Sequence, residues 1–240
     1  MSIKHNLRVF LWRMGYDISR FNPESHPIAR RRKLFDSYGI DLILDVGANI
    51  GQFAHQMRTD LGYTGKIISF EPLSSAFELL RNKASGDPKW EVINFALGEV
   101  STMAEINIAG NSYSSSLLNM LPSHTIIAPK SRYIGREVIE IRTLDSIIND
   151  LCTPENHIYL KIDTQGFESK VIEGAEQSLI RIGTIQLEMS LTPLYEEELL
   201  FGELHNILSN KGYNLVSIEP GFTDPRSGHL LQIDGIYHRF

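Results

Sequence analysis

The 240-residue chain has a single cysteine, Cys152, so neither an internal disulfide nor a cysteine-only zinc site can form, and a reducing compartment fits best. No apolar run approaches the ~20 residues that span a bilayer. The N-terminus lacks the small-residue cleavage pattern of a secretory leader, and the expectation is a cytoplasmic protein. Basic residues are also scarce. Lys and Arg total 23 against 29 Asp and Glu, a net charge of -6 that argues against nucleic acid as a partner. No two of the eight histidines share ligand spacing on a predicted helix, which disfavours zinc. Internal repeats and low-complexity segments are absent too. What remains is an ordinary globular composition, 42% hydrophobic and 22% charged, long enough to bury a sizeable core.

The charge is unevenly spread. Residues 1–33 hold eight Lys and Arg against Asp17 and Glu24, a net +6 that leaves -12 for the remainder. Here Ile3, Leu7, Phe10, Leu11, Met14 and Ile18 recur at helical spacing, interspersed with Lys4, Arg8 and Arg13. One reading is an interfacial helix that meets an anionic membrane. The other, favoured by the shortness of the stripe and the lack of a second anchor, is a helix packed on the domain or on a second subunit of a homo-oligomer. The expected organisation is a basic helical extension over 1–33 and one domain over 34–240.

From residue 42 onward strand-like and helix-like segments alternate, the pattern of an α/β fold with a parallel sheet. Strands are expected over 42–46, 66–70, 90–97, 158–163 and 184–189, with helices over 51–58, 167–179 and about 197–211. Ser75 and Glu78 have capping-box spacing for a further helix. The rhythm breaks over 101–141, read as an insertion after the third strand that contains a Ser-rich loop. The segments 213–218 and 230–237 follow each other without a helix, which favours an antiparallel hairpin.

The chemistry concentrates at two strand ends. Asp45-Val46-Gly47-Ala48-Asn49-Ile50-Gly51 closes the first strand with glycines that let backbone N–H groups approach a ligand. Glu71 ends the second strand twenty residues after Gly51, where an acid can accept both hydroxyls of a ribose. The dinucleotide pattern G-x-G-x-x-G is missing, because Asn49 fills its middle position. The loop therefore better suits a nucleoside without a pyrophosphate, such as S-adenosylmethionine (SAM), than a nicotinamide dinucleotide.

These pieces, with Phe70-Glu71-Pro72, Asn94 to Gly98, Ser114 to Leu117, Thr143-Leu144-Asp145, Lys161 to Glu168 and Gln186-Leu187-Glu188, resemble the FkbM family of SAM-dependent methyltransferases. The resemblance implies a doubly wound, Rossmann-like sheet of seven strands, mostly parallel with an antiparallel C-terminal strand. It also implies O-methylation of a sugar, polysaccharide or polyketide-type natural product. Under it Gly47, Asn49 and Gly51 line the methionine end of SAM and Glu71 holds the ribose. Ala96 and Leu97 border adenine through their backbone, and Asp45 anchors the turn or acts on the amino group indirectly. Asp163 and Glu188 end neighbouring strands where the methyl should face. Two converging carboxylates there either raise one pKa to make a base or hold Mg2+. Two alternatives stay open: a nicotinamide-dependent oxidoreductase, and a SAM-binding module of a glycan-assembly complex without catalysis. His124 reads as a solvated loop histidine, Ser114 to Ser116 as loop formers, and Tyr195 and Trp90 as packing aromatics.

Overall fold

The computed structural model describes residues 3–240, and two compact units divide after Gly39. In the first, helix α1 (Ile3–Arg13) ends where Gly15 takes a positive φ of 81°. Gly15 N–H donates to Trp12 O and Tyr16 N–H to Leu11 O, so the last carbonyls of the helix are satisfied by the turn itself. Asp17 then comes back along the helix. Its carboxylate takes both Arg8 Nε and Nη2, at 2.9 and 3.0 Å, and the Trp12 indole N–H at 2.8 Å. Helix α2 (Pro27–Tyr38) starts on a proline, whose fixed φ suits the first turn, and stops at Gly39.

The second unit carries the alternation. In chain order come β1 (Leu42–Val46), α3 (Gln52–Gln56), β2 (Lys66–Phe70), α4 (Ser74–Ala84), β3 (Trp90–Ile93), β4 (Ala96–Leu97) and β5 (Thr102–Ala109). There follow α5 (Pro122–Ile127), β6 (Tyr133–Arg142), α6 (Leu144–Leu151), β7 (Ile158–Ile162), α7 (Glu168–Glu173), β8 (Ile182–Ser190), α8 (Phe201–Asn210), β9 (Asn214–Pro220) and β10 (Gln232–His238). The main sheet runs β3-β2-β1-β7-β8-β10-β9, with β10 antiparallel to both neighbours and the first five strands parallel. Every residue of β1 and of β7 is buried, as expected for central parallel strands covered on both faces. The chain turns one way from β1 to reach β2 and the other way to reach β7. The crevice beyond their carboxyl ends is therefore the switch point where doubly wound sheets bind ligands.

Several elements differ from the sequence expectation for local reasons. The expected strand over 90–97 is two strands, because the chain leaves the main sheet at Asn94. That side chain donates to Glu71 O and Pro72 O, and β4 pairs instead with β6 in a three-stranded sheet, β4-β6-β5, that accounts for the insertion. The helix expected over 167–179 stops at Gly174, where a Cβ would lie 1.8 Å from Gly98 O. A separate 3-10 turn over Ser178–Arg181 begins on the Asp145 carboxylate, which accepts from Ser178 N at 2.7 Å. The last long helix starts at Phe201 rather than near 197, since Glu197 takes a φ of 60°. The helix after β1 continues past Gln56 as a π turn, Met57–Leu61. No capping box forms on Ser75. Ser74 donates its N–H to Glu137, and Glu78 pairs with Arg81.

Candidate active site

The loop after β1 is shaped by three residues with positive φ: Gly47 (76°), Asn49 (47°) and Gly51 (78°). A Cβ on Gly47 would sit 1.9 Å from the carbonyl oxygen of Asp163, so glycine is what lets this loop and the one after β7 touch. At Gly51 a Cβ would meet Leu80 and the Trp90 ring at 2.8 Å. Asn49 is the one member that carries a side chain. Its Oδ1 accepts its neighbour's N–H from Ile50 at 2.8 Å, a local bond that makes the left-handed conformation accessible to asparagine.

Glu71 completes this half of the crevice. Its Oε2 accepts Asn49 N–H at 2.8 Å and its Oε1 accepts Leu73 N–H at 2.9 Å. Each oxygen thus has one backbone donor and keeps a lone pair for a further one. Burial lifts the Glu71 pKa to about 7, against the opposing pull of those two bonds. Ala96 and Leu97 lie in β4, where the Leu97 side chain is buried in the main core and Ala96 packs against a smaller cluster around Ile106 and Ile141.

The other half is a row of polar side chains on one face of the sheet, since strand partners directly opposite share a face. Asp45 lies opposite both Ser69 and Lys161, and Glu188 opposite Asp234. Asp45 is wholly buried. Ser69 Oγ donates to it at 3.0 Å and Lys161 Nζ stands 3.5 Å away. Burial pushes the Asp45 carboxyl up, opposed by Lys161 and Ser69. Burial works against the charge on Lys161, but Asp163, at 3.2 Å, and Asp45 outweigh it and hold the ammonium protonated. Asp45 Oδ1 is buried without a hydrogen-bond partner, with Lys161 as its ion-pair partner.

Gln165 joins the two candidate carboxylates. Its Nε2 donates to Asp163 Oδ1 at 2.9 Å and to Glu188 Oε2 at 2.6 Å, and Gln232 Nε2 donates to that same Glu188 oxygen at 2.9 Å. Gln165 Oε1 accepts from Tyr195 Oη at 2.8 Å, and its own φ is 57° with Gly166 following at 97°. Desolvation, followed by the negative charges of Asp163, Asp234 and Glu168, drives the Glu188 pKa well above the carboxylate range. Glu168 holds this loop from below. Its Oε1 accepts Thr164 N, Thr164 Oγ1 and Gly166 N, at 2.8, 3.1 and 3.3 Å, while burial raises it to about 7. Glu198 does the same for the loop after β8, accepting from Ser190 Oγ, Tyr195 N and Leu194 N.

The structure therefore brings Asp163 and Glu188 onto one shared amide, and Asn49 and Glu71 into contact. Glu188 pairs with neither Lys161 nor Arg181 directly; glutamines hold it. Gln165 and Glu168 are not singled out one by one by the sequence, although they lie in the run Lys161 to Glu168, and Lys161 is expected there only as an ion-pair partner of Glu188. Gln232 carried no signal at all. His124 corrects its solvated expectation. It is buried on α5, its ring edge-on to Tyr195 at 5.3 Å and near Phe222 at 5.6 Å, and burial lowers its pKa to about 4. Ser116 is likewise buried, donating to Gln165 O at 2.7 Å. Tyr195 is more than a packing aromatic, since its hydroxyl orients Gln165. Among the described residues no group of three or more His, Cys, Asp or Glu side chains is placed to hold a metal ion. The geometry of the carboxylates, drawn to an amide, gives the Mg2+ expectation no support.

No curated protein matches the chain. Among solved structures, the FkbM methyltransferase from Methylobacillus flagellatus KT superposes with a TM-score of 0.51 at 13% identity, over 82% of this chain. The chain spans only 43% of that protein's length, and at this identity the likeness is one of fold. A SAM-dependent methyltransferase from Aquifex aeolicus (12% identity, TM-score 0.44) covers 91% of this chain and 98% of its own. Fibrillarin from Aeropyrum pernix, a structure with natively bound SAM (11% identity, TM-score 0.46), covers 82% of this chain and 66% of its own. The family model of the methyltransferase FkbM domain matches residues 45–215, from Asp45 at the end of β1 into β9, and so takes in Glu71, Asp163, Gln165 and Glu188. The chain belongs to the FkbM methyltransferase family.

Proposed function

We propose that this methyltransferase carries the methyl group of SAM to a hydroxyl oxygen of a sugar, polysaccharide or polyketide-type natural product. Family membership supports methyl transfer in general. The oxygen acceptor rests on one observation: Glu188, with a raised pKa, beside Asp163 on the strand edge next to the glycine loop. The cradle fits SAM, since Glu71 has a lone pair free on each oxygen for the ribose hydroxyls. Bound there, SAM supplies an electrophilic methyl on a sulfonium.

An alcohol is a poor nucleophile until its proton leaves. Glu188, its carboxyl raised by burial and by the negative charges of Asp163 and Asp234, is suited to take that proton as the hydroxyl oxygen is methylated. Asp163, charge-balanced by Lys161, is placed to accept from a neighbouring hydroxyl of the acceptor and so to hold the reacting oxygen in line. Gln165 is a positioning residue, which keeps the two carboxylates oriented while Tyr195 keeps Gln165 oriented. The nicotinamide alternative shares Glu71 but lacks the pyrophosphate glycines, and the methyltransferase family match weighs against it. Incubation with methyl-labelled SAM and a panel of sugars and hydroxylated natural products tests the proposal. Label in an O-methyl product is the expected result. SAM binding without transfer to any hydroxyl acceptor points instead to a non-catalytic module, and label on nitrogen or carbon excludes O-methylation.

A further inference from the structure

The first unit presents an apolar helix face that the unit's own residues leave bare. Leu7, Phe10 and Leu11 of α1, with Met14 just past its end, recur at helical spacing, and Leu7, Phe10 and Met14 are each more than half exposed. The other side of the helix is the one its chain uses. Asp17 folds back there to take the Arg8 guanidinium and the Trp12 indole, with Arg8 stacked over the Trp12 ring at 5.0 Å. That is the inverse of a helix packed on a core, which buries its apolar stripe and leaves charge outside. Just beyond the turn, Tyr16, Ile18 and Phe21 are exposed as well. Few soluble proteins expose this many large apolar and aromatic side chains in one short stretch without a partner for them.

We infer that α1 and the turn after it form a docking surface for an anionic lipid bilayer, lying in the headgroup plane. Charge complementarity selects this occupant. Residues 1–21 carry a net +3, with Arg13 and Arg20 exposed, and basic residues beside an aromatic-rich apolar face are what an anionic interface attracts. Tyr16 is of a residue type that favours the headgroup level. The helix has 11 residues, and among the described residues no helix is long and apolar enough to cross a membrane, so the contact is with the surface. The bare face also answers the objection from the sequence, where the stripe was short and had no second anchor. Tyr16 and Phe21 extend it, and the exposed basic residues add the second attraction.

Co-sedimentation of the full chain with vesicles tests this. The chain should pellet with phosphatidylglycerol-rich vesicles and stay in solution with pure phosphatidylcholine, and high salt should release it. The triple variant Leu7→Ser, Phe10→Ser, Met14→Ser should weaken binding on the order of tenfold or more, with its circular dichroism spectrum retained. Arg13→Glu with Arg20→Glu should weaken it at low salt by about tenfold while leaving the apolar face intact. Failure of the wild-type chain to pellet with anionic vesicles overturns the inference, as does equal binding to neutral ones or by the triple variant. A wild-type dimer that the triple variant turns into a monomer, without any vesicle binding, assigns the face to a second copy instead.

Discussion

On the β1–β2 side of the crevice, Glu71 is held by the backbone N–H groups of Asn49 and Leu73, whereas on the β7–β8 side Glu188 is held by the side-chain amides of Gln165 and Gln232. The difference is one of adjustability. Backbone donors, one of them on the positive-φ residue Asn49, cannot be altered without refolding the loop, which suits a ligand that never changes. Side-chain donors can be exchanged one at a time while the strands stay in place, which suits an acceptor that varies. The two halves meet where Gly47 packs on the Asp163 carbonyl, so the rigid half also sets the position of the adjustable one.

The largest effect expected from breaking this comparison is at Glu188. Glu188→Gln keeps the shape and removes the base, and turnover should fall by roughly 10²–10⁴. SAM affinity by calorimetry should stay within error, and an equal loss in both would merge the two halves into one. Next comes Glu71→Ala, which leaves Asn49 N–H and Leu73 N–H without their acceptor. SAM affinity should weaken by about 10- to 100-fold. Unchanged affinity would remove the ribose assignment.

A smaller effect is expected at Gln165. Gln165→Gly accepts the φ of 57° without strain and deletes only the amide. The amide stabilises the ionised form of Glu188, so its loss raises that pKa further. The rising limb of the pH–rate profile should move to higher pH, with turnover down about tenfold. A profile that stays put would make Gln165 a loop residue only.

The smallest effect concerns stability. Glu168 titrates near 7 folded and near its ordinary 4.5 unfolded, so the folded chain binds more protons between those values. Its contribution is full below about 4.5 and fades as pH rises through 7. Glu168→Gln cannot ionise and keeps an oxygen for Thr164 and Gly166. Its melting temperature relative to the wild type should therefore climb between pH 5 and 8, by the equivalent of on the order of 2 kcal/mol. A constant difference across that range would show that Glu168 does not titrate there.

Much of this was legible in advance. Leu42 to Val46 and Ile158 to Ile162 announce buried strands by apolar content alone, and the glycine turn with Glu71 marks the β1–β2 half of the crevice. The β7–β8 half was legible only as two end-of-strand acids. Gln232 lies 44 residues from Glu188 and reaches it because β10 inserts beside β8, an arrangement no local pattern encodes. His124 misled for the same reason, since Tyr195 and Phe222, far along the chain, are what bury it.

By itself the sequence determined which residues could occupy the positive-φ turns, which runs could be central strands, and where charge of each sign would lie. Those are matters of local sterics and solvation, settled within a few residues. Only the tertiary structure decided which amides would bridge Asp163 to Glu188, and that α1 would use its polar side and leave its apolar face bare. Both depend on which distant side chains the packed backbone brings within hydrogen-bond reach, and that follows from strand order and chain reversal rather than from any single segment.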